Sequence, residues 1–167
     1  LKNGANINYE NKLGNTPLIE AIKNNRTNTI KLLIESGAEI SYKPSKPFYT
    51  SALEYLFFYN RKEVVEIITE KAFFNVNKVN TNLVNVLFLG SAKNGYKDIL
   101  EFILKHSNNI KSNKNMQNNA LIYASERRHK DIVELLLKNN IDDTSKNNAL
   151  LRASEYGHKD IVELLLK

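Results

Sequence analysis

The sequence has no cysteine and no tryptophan, and only three prolines and six glycines in 167 residues. Without cysteine, a disulfide scaffold, a cysteine-based zinc finger and a cysteine nucleophile are excluded. No stretch approaches the ~20 consecutive apolar residues of a membrane span. The glycines form neither a GxGxxG nor a GxxxxGK pattern, so no phosphate-binding loop is present. The lack of cysteine suits a reducing compartment, and we expect an intracellular, cytoplasmic protein without a cofactor.

Positively charged residues are in modest excess. Lysine and arginine number 24 against 18 acidic residues, a formal net charge of +6. This balance would allow a nucleic acid or another anionic partner. The lysines are scattered singly, however, and arginines are few. We therefore interpret the charge as a solvated surface and expect no nucleic-acid partner.

The chain contains an internal repeat. Residues 118–138 and 147–167 are identical at 17 of 21 positions, at an offset of 29 (147 − 118). Weaker copies occupy residues 16–36, 51–71 and 82–105. The apolar anchor of each copy falls, in chain order, at Leu18, Leu53, Phe88, Leu121 and Leu150.

Each copy has the pattern of a helix pair. Thr16 and Ser51 can cap first helices, and Pro17 suits a first helical position. Second helices are predicted to begin near Asp98, Asp131 and Asp160, which favour the positive helix end. Between the two helices of each pair we expect one residue in the left-handed conformation, at Asn25, Asn60, Gly95, Arg128 and Gly157. Of these, only the arginine is expected to be strained in that conformation. Gly4, Gly37 and Asn140 are predicted to end second helices in the same way.

The segment from Gly14-Asn15-Thr16-Pro17-Leu18 to Gly37-Ala38-Glu39-Ile40 resembles the G-x-T-P-L-H-x-A…I-V-x-L-L-L-x-x-G-A pattern of the ankyrin-repeat family. The resemblance extends over essentially the whole chain. It implies an all-α solenoid of stacked antiparallel helix pairs joined by short hairpins or loops. We expect one array over residues 1–167, a fragment of a longer one, with the tail of a preceding repeat at 1–9. Five repeats follow, at about 10–41, 42–78, 79–111, 112–141 and 142–167.

The chain departs from the family pattern in two ways. The histidine that follows T-P-L in the family is replaced by Ile19, Glu54, Leu89, Ile122 and Leu151. The linkers also vary in length. The last one, which contains Asp142 and Asp143, is short and is predicted to be a plain loop, whereas the one at 42–50 is long and contains Pro44 and Pro47.

No residue pattern indicates catalysis or metal binding. His129 and His158 occupy equivalent positions where the family pattern also has a histidine, and we interpret both as structural. Asp142 and Asp143 are interpreted as turn residues. We therefore expect a protein that is not an enzyme and holds no metal.

The resemblance implies a module that binds another protein through its concave face and its linker or hairpin edge. Family members present the last residues of the first helix to partners. Carried over position by position, these are Lys23, Asn24, Phe58, Tyr59, Lys93, Asn94, Glu126, Arg127, Glu155 and Tyr156. We expect the segment to be monomeric.

Several alternatives stay open. Phe58 and Tyr59 are either an aromatic anchor for a partner or pack under the long linker with Phe48 and Tyr49. The array is also compatible with a substrate-recruiting segment of a larger multidomain enzyme or effector. A binder of nucleic acid or an anionic ligand would use the basic residues Lys23, Lys46, Lys93, Lys111, Lys114 and Arg127.

Overall fold

The computed structural model describes residues 4–40, 51–74 and 81–167. These residues form eleven α-helices and no strand, which confirms the all-α fold class. The predicted linker with Pro44 and Pro47 lies outside the described residues, as do Lys46, Phe48 and Tyr49. The helices are α1 Pro17–Lys23, α2 Thr27–Glu35, α3 Ala52–Phe58, α4 Lys62–Phe74, α5 Thr81–Asn94, α6 Lys97–His106, α7 Asn108–Ser112, α8 Lys114–Glu126, α9 Lys130–Leu137, α10 Asp143–Glu155 and α11 Lys159–Leu165.

The chain divides into two compact units, residues 1–68 and 69–167. The first contains α1 to α3 and the beginning of α4, and the second contains the end of α4 and α5 to α11. The boundaries of the five repeats stay a prediction.

In the first unit, both predicted helix caps are present. The Thr16 hydroxyl accepts the Ile19 N–H at 3.3 Å. Ser51 and Glu54 form a reciprocal capping box, in which the Ser51 hydroxyl accepts the Glu54 N–H and the Glu54 carboxylate accepts the Ser51 N–H at 2.8 Å. Helix α1 packs against α2 and α3. The apolar side chains that face this core are almost completely buried: Leu18, Ile19, Ile22, Ile30, Leu53 and Leu56.

The second unit is a stack of three helix pairs, α5 with α6, α8 with α9 and α10 with α11. Their first helices, α5, α8 and α10, lie side by side in that order. Ala124 of α8 and Ala149 and Ala153 of α10 are fully buried. Because an alanine side chain is short, these residues let neighbouring helices approach closely.

The turn inside each helix pair has the predicted left-handed residue. The φ angles are positive at all five positions, at 55°, 53°, 77°, 61° and 70° for Asn25, Asn60, Gly95, Arg128 and Gly157. The next residue then donates its N–H to the carbonyl five residues back, over 2.7 to 3.0 Å, which closes the first helix.

Two predictions about the ends of repeats are wrong. Asn140 is not left-handed, because α9 ends in a tighter turn in which the Ile141 N–H contacts the Asn139 carbonyl at 2.9 Å. The loop predicted at Asp142 and Asp143 is the start of a helix. Asp142 caps α10 by accepting the Ser145 N–H at 2.7 Å, and Asp143 is the first helical residue.

Helix also replaces linker in the two preceding repeats of the second unit. Helices α5, α8 and α10 have 14, 13 and 13 residues, against seven in α1 and α3. The short helix α7 fills the connection between α6 and α8. Residues 108–120 and 143–149 contain neither glycine nor proline, and Ser107, Asn113 and Asp142 each cap a helix with a side-chain oxygen.

The turn glycines offer a matched test of packing. A Cβ on Gly95 would lie 2.8 Å from two ring atoms of His129, whereas a Cβ on Gly157 would meet nothing within 4 Å. Both have positive φ, so alanine is strained at either position. We expect Gly157→Ala to lower the free energy of unfolding by about 1 kcal/mol from strain alone. Gly95→Ala should cost about 3 kcal/mol because it also displaces the ring.

Urea unfolding of the two variants measures this difference. In a His129→Ala background the gap between Gly95→Ala and Gly157→Ala should close, since the clashing ring is gone. A gap that persists in that background would mean that His129 is not its cause.

The cap of α10 gives stability a pH dependence. The Ser145 N–H, followed by the Ser145 hydroxyl, holds the pKa of Asp142 below its ordinary value, and Asn118 and Lys114 act in the same direction. Because the pKa is lower in the folded state, the ionised carboxylate stabilises the fold at neutral pH. That contribution is lost as the pH falls through the folded pKa.

Asp142→Asn keeps a capping oxygen and removes the charge. We expect it to lower the free energy of unfolding at pH 7, with a deficit that shrinks below about pH 4. Asp143→Asn removes the same charge from the same turn and leaves the Ser145 contact intact, so its effect should be smaller. Equal deficits for the two variants in chemical unfolding at pH 7 would contradict this assignment.

Candidate functional site

In the first unit, the predicted site residues lie at the ends of two adjacent helices. Lys23 is the last residue of α1 and Asn24 its C-cap, and Phe58 and Tyr59 have the same places at the end of α3. The Asn24 side-chain amide donates to the Glu20 carbonyl at 2.9 Å, which fixes its direction. Since α1 packs against α3, the two helix ends lie on neighbouring elements of this unit.

An ordered aromatic cluster surrounds the end of α3. Phe58 is 77% exposed, and its ring meets the Tyr59 ring edge-on at 5.0 Å between centroids. Tyr59 in turn stacks on Tyr55 at 6.0 Å, and the Arg61 guanidinium lies 5.7 Å from the Tyr59 ring centroid. Contacts on several sides therefore hold Tyr59 in place, while most of Phe58 faces solvent. The proposed packing partners Phe48 and Tyr49 lie outside the described residues.

In the second unit, the predicted residues lie at the ends of three adjacent first helices. Lys93 and Asn94 end α5, Glu126 and Arg127 end α8, and Glu155 and Tyr156 end α10. Because these helices lie side by side in this order, the structure brings the three pairs to successive positions of one row.

Two histidines join neighbouring members of this row. His129 Nε2 lies 3.1 Å from the Lys93 carbonyl oxygen, and His158 Nε2 lies 2.9 Å from that of Glu126. A carbonyl oxygen only accepts, so Nε2 carries the proton in both rings. These contacts confirm the structural role predicted for His129 and His158.

The side chains of the row differ in charge and exposure. Arg127 lies 3.5 Å from its neighbour Glu126, and Arg152 donates to Glu155 at 2.7 Å. The hydrogen bond and charge of Glu155 raise the pKa of Arg152 above its ordinary value. Tyr156 is about half exposed and stacks on the His158 ring at 6.1 Å between centroids. The row therefore presents Lys93, two glutamates that are each paired with an arginine, and one aromatic ring.

Beside this row lies a groove that was not predicted from the sequence. Leu151 is 67% exposed and, with Ile122, Asn148, Arg152 and Glu155, lines a groove of about 370 Å³. Ile122 and Leu151 stand where the family has its histidine after T-P-L. The sequence signal for this groove was therefore an apolar residue in place of the family's histidine.

The part of the chain that the structure describes holds no group of three or more histidine, aspartate or glutamate side chains placed to bind a metal ion. Within that same part, every helix is too short or too polar to cross a membrane.

The family model described as "Ankyrin repeats (3 copies)" matches residues 1–82 and again residues 87–167. The chain belongs to the ankyrin-repeat family. Ankyrin repeats are generally protein–protein interaction modules and are typically non-catalytic. A comparison with curated proteins finds no match.

The hydrogen bond from His158 to the end of the neighbouring first helix should make a measurable contribution to the free energy of unfolding. We expect His158→Ala to lower the free energy of unfolding by about 1 kcal/mol, because the Glu126 carbonyl loses its donor and the half-buried ring leaves the stack. His106→Ala is the control, since the exposed His106 ring makes its hydrogen bond within its own helix, to the Phe102 carbonyl, and approaches α4 through the Phe73 ring at 6.3 Å between centroids without a hydrogen bond to it. An equal loss for both variants in urea unfolding would show that the bond between helices contributes nothing specific.

Proposed function

We propose that this chain is a non-catalytic protein-interaction module that binds its partner with the ends of its first helices. The binding residues are those predicted from the sequence: Lys23, Asn24, Phe58, Tyr59, Lys93, Asn94, Glu126, Arg127, Glu155 and Tyr156. In this proposal the partner covers the face that the family resemblance predicts to be concave, together with its edge. The intracellular location and the monomeric state stay predictions.

The exposure of Phe58 is the observation that carries the proposal. A phenylalanine that is 77% exposed leaves a large apolar area in water, and the equivalent residues are polar: Lys23, Lys93, Glu126 and Glu155. Its edge-on contact with Tyr59, itself stacked on Tyr55, restricts the ring before any partner arrives. Aromatic residues that are already ordered lose little entropy on binding and dominate interface energetics.

Arg127 lies apart from Lys114, the other basic residue at the ends of α8 that a nucleic-acid binder would use. Lys114 begins α8 and Arg127 caps its other end, so about 20 Å of helix separates them. Arg127 is also paired with Glu126. The alternative of a substrate-recruiting segment needs the same binding surface and stays a prediction about a larger protein.

The test compares two variants that each remove one exposed apolar side chain of the first unit. Phe58→Ser removes the proposed anchor, and Leu32→Ser removes a leucine of α2 that is 62% exposed. Because both residues are on the surface, each change should alter the free energy of unfolding by no more than about 0.5 kcal/mol. Proteins captured from the source lysate are then quantified by mass spectrometry.

We expect a specific set of proteins to be retained by the native chain and by Leu32→Ser and lost by Phe58→Ser. Binding of one such protein, purified, should weaken at least about tenfold with Phe58→Ser. Equal retention by both variants would exclude Phe58 as the anchor, and equal loss would indicate nonspecific apolar adhesion.

A further inference from the structure

The second unit contains a cavity of about 590 Å³ that none of the residues predicted to bind a partner protein lines, although Lys111 and Lys114 belong to the basic residues of the anionic-ligand alternative. It lies where α6 and α9 end, beside α7 and the start of α8. Four lysines contribute to its lining, one from each of these elements. They are Lys105 of α6, Lys111 of α7, Lys114 of α8 and Lys138, the C-cap of α9.

In the part of the chain that the structure describes, the charges of the cavity lysines are not neutralised by ion pairs. Among the described residues, none of the four forms an ion pair, and no carboxylate lines the cavity. The Lys111 ammonium donates only to the Lys105 carbonyl, at 3.1 Å. Asp142 is close enough to feel the charge of Lys114, but its oxygens already accept from Ser145 and Asn118.

Other lysines of the same helices behave differently. Lys97 at the start of α6 lies 3.6 Å from Glu101, and Lys130 at the start of α9 lies 3.9 Å from Glu134. Each helix therefore has a paired lysine at its beginning and a lysine of the cavity at its end. The four cavity lysines concentrate positive charge at one place of the surface.

The cavity also has an apolar part. Leu104 and Leu135 line it and are half-buried, so each keeps apolar surface open to the cavity. A ligand that complements this lining needs several anionic groups for the lysines and an apolar group for the two leucines.

We propose that this cavity binds an acidic segment of a partner protein in which an apolar side chain is flanked by carboxylates. The carboxylates would meet the four lysines, and the apolar side chain would contact Leu104 and Leu135. An acidic segment is the chosen occupant because its negative charge complements the positive charge of the four lysines. This inference rests on the proposed function, because it names the chemistry of a partner that the module binds.

A phosphate ligand fits the lining less well. None of the described residues that line the cavity is an arginine or an aromatic residue, so they provide no bidentate or stacking contacts of the kind found in nucleic-acid sites. A compact inorganic polyanion would also leave Leu104 and Leu135 uncovered. An acidic peptide satisfies both parts of the lining.

The test measures the binding of a short fluorescent peptide, one leucine flanked on both sides by glutamates, by anisotropy. The control peptide has glutamines in place of the glutamates. We expect the native chain to bind the acidic peptide at least about tenfold more tightly, and this advantage should diminish as salt is added.

Two double variants remove the same charge from the same two helices. Lys105→Gln/Lys138→Gln alters the cavity, whereas Lys97→Gln/Lys130→Gln alters the paired lysines. We expect the first to weaken peptide binding about tenfold and the second by less than about twofold, with both still folded in urea unfolding. Equal weakening by both, or equal binding of the two peptides, overturns the proposal.

Two further measurements separate the remaining outcomes. A single-stranded oligonucleotide or pyrophosphate that binds more tightly than the acidic peptide, and depends on Lys105 and Lys138, would overturn the proposal in favour of a phosphate ligand. The Phe58→Ser variant should bind the peptide as the native chain does. The anchor at Phe58 and the lysine cavity can therefore fail independently.

Discussion

The turn inside each helix pair is the constraint on which the rest of the structure depends. One residue takes a left-handed conformation, and the N–H of the next residue returns to the carbonyl five positions back. This geometry ends the first helix and starts the second within three residues. It also places the residue after the turn at the start of the second helix, from where His129 and His158 reach the preceding first helix.

The same turn separates the surface from the core. Side chains before it, such as Leu56 and Ala124, are buried completely, whereas Phe58 and Tyr156 at the helix ends are exposed. Phe58 is the extreme case, because its exposed ring contributes little to the fold of its own unit. A residue that stability does not require and that solvent disfavours is a suitable place for recognition.

Local chemistry made much of this fold predictable. Asn and Gly tolerate positive φ, and Thr16 and Ser51 are good caps, so turns and helix starts followed from residue types alone. The helical linkers did not, because their buried polar residues need partners that are distant in sequence. Asn118, for example, donates to the Asp142 carboxylate, 24 residues further along the chain. The lysine cavity was not predicted from the sequence for a related reason, since Lys105 and Lys138 come from different repeats. The sequence predicted which residues stand at the helix ends, and their role in binding stays a prediction.

The histidine bonds between neighbouring first helices have a consequence for how such a chain diversifies. Their acceptors are main-chain carbonyls, so the bond is indifferent to the side chain that the acceptor residue carries. Lys93 and Glu126 already show this, because their side chains have opposite charges while the main-chain carbonyl of each makes the same contact with a histidine. A newly duplicated repeat would thus inherit its assembly from the backbone, while its recognition surface could change by single substitutions.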